Sequence, residues 1–165
     1  MHILMCNDDG ILADGLRHLA SYLSQYYRIT VVAPANEQSA KSHALTTEVP
    51  LKLDAYNGED ENPRLYALTG TPSDCMKFGL SYLLTDDMPD LVISGINHGF
   101  NLGSDVLYSG TVSAAMESCF YGIPGLALSV ERYSVERGAE MHPFIHELID
   151  KIYVKGQFSG LLNVN

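Results

Sequence analysis

The first 33 residues confine the fold more tightly than any other part of the chain. Residues 2–6 (His-Ile-Leu-Met-Cys) form a short apolar run that stops at the polar turn Asn7-Asp8-Asp9-Gly10. Leu12, Leu16, Leu19, Ala20 and Leu23 then recur at helical spacing, and the β-branched run Ile29 to Ala33 halts at Pro34. Strand, helix, strand in this order is a βαβ unit. The helix carries the chain back to the edge where it started, so the two strands pair in parallel. A parallel sheet is apolar on both faces, and the rest of the chain must supply further helices to cover it.

It does so in alternation. Leu51 to Tyr56 and Arg64 to Leu68 flank the turn-rich stretch Asn57 to Pro63, which predicts a hairpin-like pair with an exposed tip. Pro72 suits a first helical turn after Thr71, and Met76, Leu80, Leu83 and Leu84 give that helix an apolar face. Leu91 to Gly95 reads as a buried strand. A glycine-rich loop, Gly95 to Gly110, then leads to a helix faced by Val112, Ala115, Met116, Cys119 and Phe120. Leu126 to Val130 is another strand, Phe144, Leu148, Ile149 and Ile152 a last helical stripe, and Leu161 to Asn165 a closing strand.

The pattern predicts an α/β fold with a mainly parallel sheet and helices on both faces. With 165 residues and 46% hydrophobic content it is expected to form one domain spanning residues 1–165. The longest apolar runs, such as Gly125 to Val130, fall far short of the roughly 20 residues of a membrane span. No basic segment followed by an apolar one opens the chain, so a cytoplasmic protein without a membrane partner is expected. Cys6, Cys75 and Cys119 are odd in number and widely spaced, which reads as reduced, mostly buried thiols. Twenty acidic residues against ten basic ones, a net charge of −10, repel a polyanionic backbone and exclude long nucleic acid. A small phosphate ester remains compatible, because a bound divalent cation reverses the local field inside one cleft.

Ligands on parallel sheets bind at the carboxyl ends of the strands, and three loops, after residues 6, 33 and 94, share that edge. Asp8 and Asp9 are adjacent carboxylates there. Their repulsion is unfavourable without a compensating cation or proton, and hard oxygen donors suit Mg²⁺, Mn²⁺ or Ca²⁺. Read alone, Asp8-Asp9-Gly10 also serves as a turn and helix cap. Residues 34–47 form a long polar loop carrying Ser39, and Asn97 follows the fourth apolar strand, so two acids, a hydroxyl and an amide assemble a hard-metal shell. The glycines of Ser94 to Asp105, with Tyr108-Ser109-Gly110-Thr111 opening a helix, form a phosphate cradle or serve turn geometry alone. His142 and His146, four apart, lack a third ligand and read as a solvated helix start. Cys75 and His98 have no spacing that would place them together as nucleophile and base.

Four blocks, Asn7-Asp-Asp-Gly10, Gly70-Thr-Pro-Ser-Asp-Cys75, Ser94-Gly-Ile-Asn-His-Gly-Phe-Asn-Leu-Gly103 and Asp105-Val-Leu-Tyr-Ser-Gly-Thr-Val-Ser-Ala-Ala-Met-Glu117, closely resemble the stationary-phase survival protein SurE family. The resemblance runs in order from residue 1 to residue 165. It implies a Rossmann-like fold and a metal-dependent 5′/3′-nucleotidase that releases phosphate from nucleoside monophosphates. It implies metal ligation by Asp8, Asp9, Ser39 and Asn97, with Asp8 and Asp9 catalytic, and phosphate held by Asn101, Ser109, Gly110 and Thr111. One Mg²⁺ or Mn²⁺ per chain is expected. Family members form homodimers or tetramers and normally continue past the segment matched by Leu162 to Asn165, into an oligomerisation hairpin, a C-terminal helix and further active-site residues; those elements are expected to be absent here.

Two other readings stay open at this level. A phosphoacceptor receiver domain also carries paired acids after its first strand, and Asp54 and Thr69 fall near suitable spacings, but none of the five lysines precedes the proline such a domain needs. A chain that binds metal and nucleotide without turnover is the other.

Overall fold

The structure is a computed structural model that describes residues 1–156 and 158–165. Seven strands form one sheet: β1 (His2–Cys6), β2 (Arg28–Pro34), β3 (Leu53–Ala55), β4 (Arg64–Leu68), β5 (Leu91–His98), β6 (Gly125–Val130) and β7 (Leu161–Val164), in the spatial order β3-β4-β2-β1-β5-β6-β7. Every pairing is parallel except that of the short edge strand β3 with β4, where Leu53 opposes Leu68. The expected βαβ opening is present, with Ile3 level with Ile29 and Met5 with Val31. β2 lies to one side of β1 and β5 to the other, so the strand order reverses beside β1, and the carboxyl ends of β1 and β5 diverge there into a crevice.

Among the described residues, four α-helices cover the two faces. α1 (Asp14–Leu23) and α4 (Val135–Ile149) bury Leu16, Leu19, Leu23, Ile145 and Ile149 against Ile3, Met5, Ile29, Val31 and Ile93. α2 (Pro72–Phe78) and α3 (Gly110–Cys119) bury Cys75, Met76 and Ala114 against Leu4, Cys6, Val32 and Val92. Strand residues thus alternate between the two layers with period two, and each fully buried Leu or Ile contributes about 1.5–3 kcal/mol. α2 starts at a capping box: Thr71 Oγ1 accepts from the Asp74 N–H at 3.1 Å, and Asp74 Oδ2 accepts from the Thr71 N–H at 2.9 Å, with Pro72 at the first helical position.

Several expected core positions are corrected. Leu12 is 61% exposed, because α1 is capped at Ala13 and Leu12 precedes the helical stripe; Ile11 is buried in its place. Phe120, the C-cap of α3, is 72% exposed. Phe144 is exposed too, since the buried stripe of α4 is Gly138, His142, Ile145 and Ile149, spaced four, three and four. His142 is therefore no solvated helix start. It is buried against Tyr22 of α1 at a ring separation of 5.4 Å, while His146 stacks on Tyr26 at 4.0 Å. Cys6 and Cys75 are buried free thiols and Cys119 is partly exposed. No helix among the described residues is long and apolar enough to cross a membrane.

Candidate active site

The β1 carboxyl end is built by a local polar turn. Asn7 is fully buried; its Nδ2 donates to the Gly10 carbonyl and its Oδ1 accepts from the Gly10 N–H, both at 3.1 Å. Gly10 has φ +102°, a left-handed conformation that a side chain would strain. This brace presents Asp8 and Asp9 in succession, and the loop after β2 is pinned alongside by the Gln38 N–H, which donates to the Asp8 carbonyl at 2.7 Å.

On the other side of the crevice, β5 carries a bulge: Ser94 pairs with Ala127 but Asn97 pairs with Ser129, one extra residue on β5. At Gly95 a Cβ would come within 2.3 Å of the Leu128 carbonyl oxygen, so only glycine fits. The bulge extends the strand to His98, beyond the expected stop at Gly95, and brings Asn97 onto the crevice. Asn97 Nδ2 donates to the Gly99 carbonyl at 2.7 Å, which leaves its Oδ1 as the acceptor end.

A cleft of about 580 Å³ occupies the crevice and is lined by Asp8, Asp9, Ser39, Asn97, Asn101 and Ser109. Residues from four separate stretches of sequence meet there. Gly110 and Thr111 do not line it. Thr111 is fully buried and its hydroxyl donates to Asp8 Oδ1, while a Cβ on Gly110 would sit 3.0 Å from the Asp8 Cβ, so both pack behind the carboxylate. Asn101 is buried as well: its Nδ2 donates to Ser129 Oγ at 2.7 Å, and its backbone is tied to Asn163 and Asn165 beyond β6. Ser109 caps α3, its Oγ accepting the Val112 N–H at 3.1 Å.

The cleft is electrostatically unbalanced. Glu37 and Asp105 join Asp8 and Asp9 on its wall, and among the described residues no Lys or Arg lines it. Sequence reasoning did not single out Glu37 and Asp105, although both lie in loops marked as site elements. Burial raises the Asp8 carboxyl above its ordinary range, opposed by the Thr111 hydroxyl. Burial, followed by the charge of Asp8, pushes Asp9 up to about 6, and the His98 N–H opposes it. A site that so penalises its own negative charge is suited to a cation. Among the described residues no three His, Cys, Asp or Glu side chains cluster as ligands, so a metal here would rest on two carboxylates and neutral oxygens, a donor set for a hard ion that keeps waters. Ser39, exposed, now gives its hydroxyl hydrogen to Glu37 at 2.7 Å.

The other candidates lie elsewhere. Asp54 sits on the outer strand β3, three strands from β1, and pairs with Lys52 at 2.8 Å. Cys75 is fully buried, which pushes its thiol up, and is far from thiolate chemistry. A neighbouring hollow of about 280 Å³ at the ends of β2 and β4, bounded by Asn36, Thr46 and Thr71, is lined by no ionisable side chain among the described residues.

The comparisons with known proteins show the family. Residues 3–165 match the family model described as Survival protein SurE. The chain is 49% identical over 166 residues to 5'-nucleotidase SurE of Thermoanaerobacter sp. (strain X514), covering all of this chain and 65% of that protein. It is 48% identical to 5'-nucleotidase SurE of Caldanaerobacter subterraneus subsp. tengcongensis, covering 99% of this chain and 64% of that protein. The crystal structure of the SurE protein from Aquifex aeolicus superimposes with a TM-score of 0.82 at 38% identity, over 94% of this chain and 61% of that one. This chain therefore spans a little under two thirds of the length of those relatives, and with its family match running almost from end to end it belongs to the SurE family.

Proposed function

We infer that residues 1–165 act as one catalytic unit of a metal-dependent phosphomonoesterase that hydrolyses nucleoside monophosphates to nucleoside and phosphate. The observation that carries this reading is the pair Asp8 and Asp9 at the strand-order reversal, in a cleft with four carboxylates and, among the described residues, no Lys or Arg lining it. The naming of the relatives as 5'-nucleotidases supports the substrate class.

Asp8, Asp9, Ser39 and Asn97 would hold one divalent cation, Mg²⁺ or Mn²⁺, through carboxylate, hydroxyl and amide oxygens. When bound, that ion supplies Lewis-acid polarisation of a phosphoryl oxygen and acidifies water. Thr111 holds Asp8 in place with a charge-assisted hydrogen bond and resists its protonation. Ser109, at the positive end of α3, and the Asn101 amide would orient the phosphate for in-line attack. Gly110 would act by its size, since a Cβ there would crowd the Asp8 side chain at 3.0–3.1 Å. Thr111 and Gly110 would thus serve the phosphate through Asp8, while Ser109, Asn101 and the backbone at the α3 start would meet the anion directly.

The test is phosphate release from 5′- and 3′-nucleoside monophosphates, with Mg²⁺ or Mn²⁺ and with chelator, beside the Asp8→Asn variant. Release that vanishes with chelator and falls more than about 100-fold in Asp8→Asn is expected, beyond the loss usual for residues outside the ligand set. Equal rates for folded Asp8→Asn and wild type would sink the assignment.

A further inference from the structure

Residues 35–52 connect β2 to β3 with no helix or strand of their own, yet the middle of this connection is held at successive points. Gln38 is tied to Asp8. Ser42 donates from its N–H to the Tyr108 carbonyl at 3.1 Å and from its hydroxyl to the Leu107 carbonyl at 2.8 Å. The Ala44 carbonyl accepts the Thr71 hydroxyl at 2.6 Å, and Thr46 donates to Asp74 from its N–H at 2.9 Å and its hydroxyl at 2.6 Å. The Gly70-Thr-Pro-Ser-Asp-Cys75 block thus touches the cleft nowhere; it grips the loop.

Between these anchors, His43 Nε2 lies 2.7 Å from Glu117 Oε2. Glu117 is 5% exposed, and a carboxylate that deep needs a close partner. Lys77 stands 3.9 Å off and is largely solvated, so His43 is the near one. Ala40 and Ser42 have φ of +57° and +53°, which side-chain-bearing residues keep only where the surroundings over-determine them. Ser39, Ala40 and Lys41 are suspended between the Gln38 and Ser42 anchors. α3, which bears Glu117, is capped at Ser109, which also lines the cleft.

We propose that His43 and Glu117 are positioning residues that set the position of Ser39 relative to Ser109 in the cleft. Neither side chain lines the cleft. They act through the backbone of residues 39–42 and through α3, and the proposal rests on the metal-dependent reading above.

The experiment compares the 165-residue chain with His43→Leu, His43→Gln, Glu117→Gln and Asp9→Asn. It measures Mn²⁺ binding by calorimetry, amide hydrogen exchange over residues 38–44, and kcat and KM for a nucleoside monophosphate. His43→Leu should weaken Mn²⁺ binding about 10–100-fold, as loss of a supporting partner does, and speed exchange at residues 39–42 while α1 and β2 stay protected. kcat should fall more than KM rises. His43→Gln, whose amide can donate from a similar place, should recover most of the binding. Wild-type Mn²⁺ affinity in His43→Leu, or equal damage from Gln and Leu, overturns the proposal. If His43→Leu does not fold, Glu117→Gln decides: weakened Mn²⁺ binding supports it, and unchanged binding and exchange overturn it. Failure of the metal reading shows separately, as Asp9→Asn binding Mn²⁺ as well as wild type, and removes this proposal with it.

Discussion

The two ends of the sheet handle buried polar groups in opposite ways. At the amino end, His2 is 3% exposed and both ring nitrogens have partners, the Asp87 carbonyl at 3.2 Å and Thr30 Oγ1 at 2.9 Å. Its N–H donates to Asp90 Oδ2 at 2.7 Å, Arg28 pairs with Asp87, and Arg64 donates to Thr30 at 3.0 Å. Charges there are matched within one network. At the carboxyl end, four carboxylates face one cleft that, among the described residues, no Lys or Arg lines. One end is satisfied by its own chain, whereas the other reaches balance only with something added. That imbalance costs stability, and the cost falls where strands end, loops converge and a ligand can enter.

The largest effects should come from exchanging the roles of the two ends. Asp9→Asn relieves the carboxylate repulsion, so phosphate release should fall more than about 100-fold while the metal-free protein melts about 2–4 °C higher, the shift from about 1 kcal/mol after discounting a half-buried group. His2→Ala should do the reverse: about 2–3 kcal/mol lost, from a buried side chain and its hydrogen bonds, with phosphate release unchanged well below the melting point. Calorimetric melting beside a phosphate assay reads both, and a metal-free Asp9→Asn that melts lower than wild type would remove the contrast.

Smaller, but sharper, is the pH dependence. Asp9 has its folded pKa raised from 3.8 to about 6, so its ionised form is disfavoured by folding; that penalty is complete above about pH 6 and fades as pH falls toward 3.8. His2 is lowered from 6.5, first by burial and then by Arg28, so its contribution is present above pH 6.5 and is lost as pH falls through the folded value. His142, lowered by burial and by His18, adds to that second slope. From about pH 7.5 to about 5 the melting advantage of metal-free Asp9→Asn should shrink, and Mn²⁺ affinity should weaken as protons compete. The stability lost in His2→Ala should shrink over the same range. Melting series of the three proteins test this, and parallel slopes for both variants against wild type would break it.

The smallest effect belongs to the sheet edge. Breaking the exposed Lys52 and Asp54 pair with Asp54→Asn should change stability by less than about 1 kcal/mol and leave phosphate release untouched. Acetyl phosphate should leave no phosphoaspartate at Asp54, detectable by mass; accumulation there would revive the receiver reading.

Much of this was legible in one dimension. The alternation of short β-branched runs with helical stripes dictates a parallel sheet, because only a covering helix can return the chain to the same edge. Strand ends followed by Asp8, Asp9, Ser39 and Asn97 then fall on one side of that sheet. Stripes failed where a helix ended: Leu12, Phe120 and Phe144 kept the period but lie before the cap, at the last turn, or off the buried face. His142 read as solvated because nothing in its own helix reveals that Tyr22 of α1 covers it.

Hydrophobic period and turn residues, which act between near neighbours in the chain, therefore determined the fold class, the order of elements and the edge on which a site forms. Tertiary structure alone decided the rest. Thr111 turned away from the cleft to hold Asp8, 103 residues earlier in the chain, Glu37 and Asp105 joined the wall, and Glu117 found His43. These pairings rest on distances of a few ångströms between residues far apart in sequence, and no local pattern encodes them. Packing of the loops onto α2 and α3 sets them.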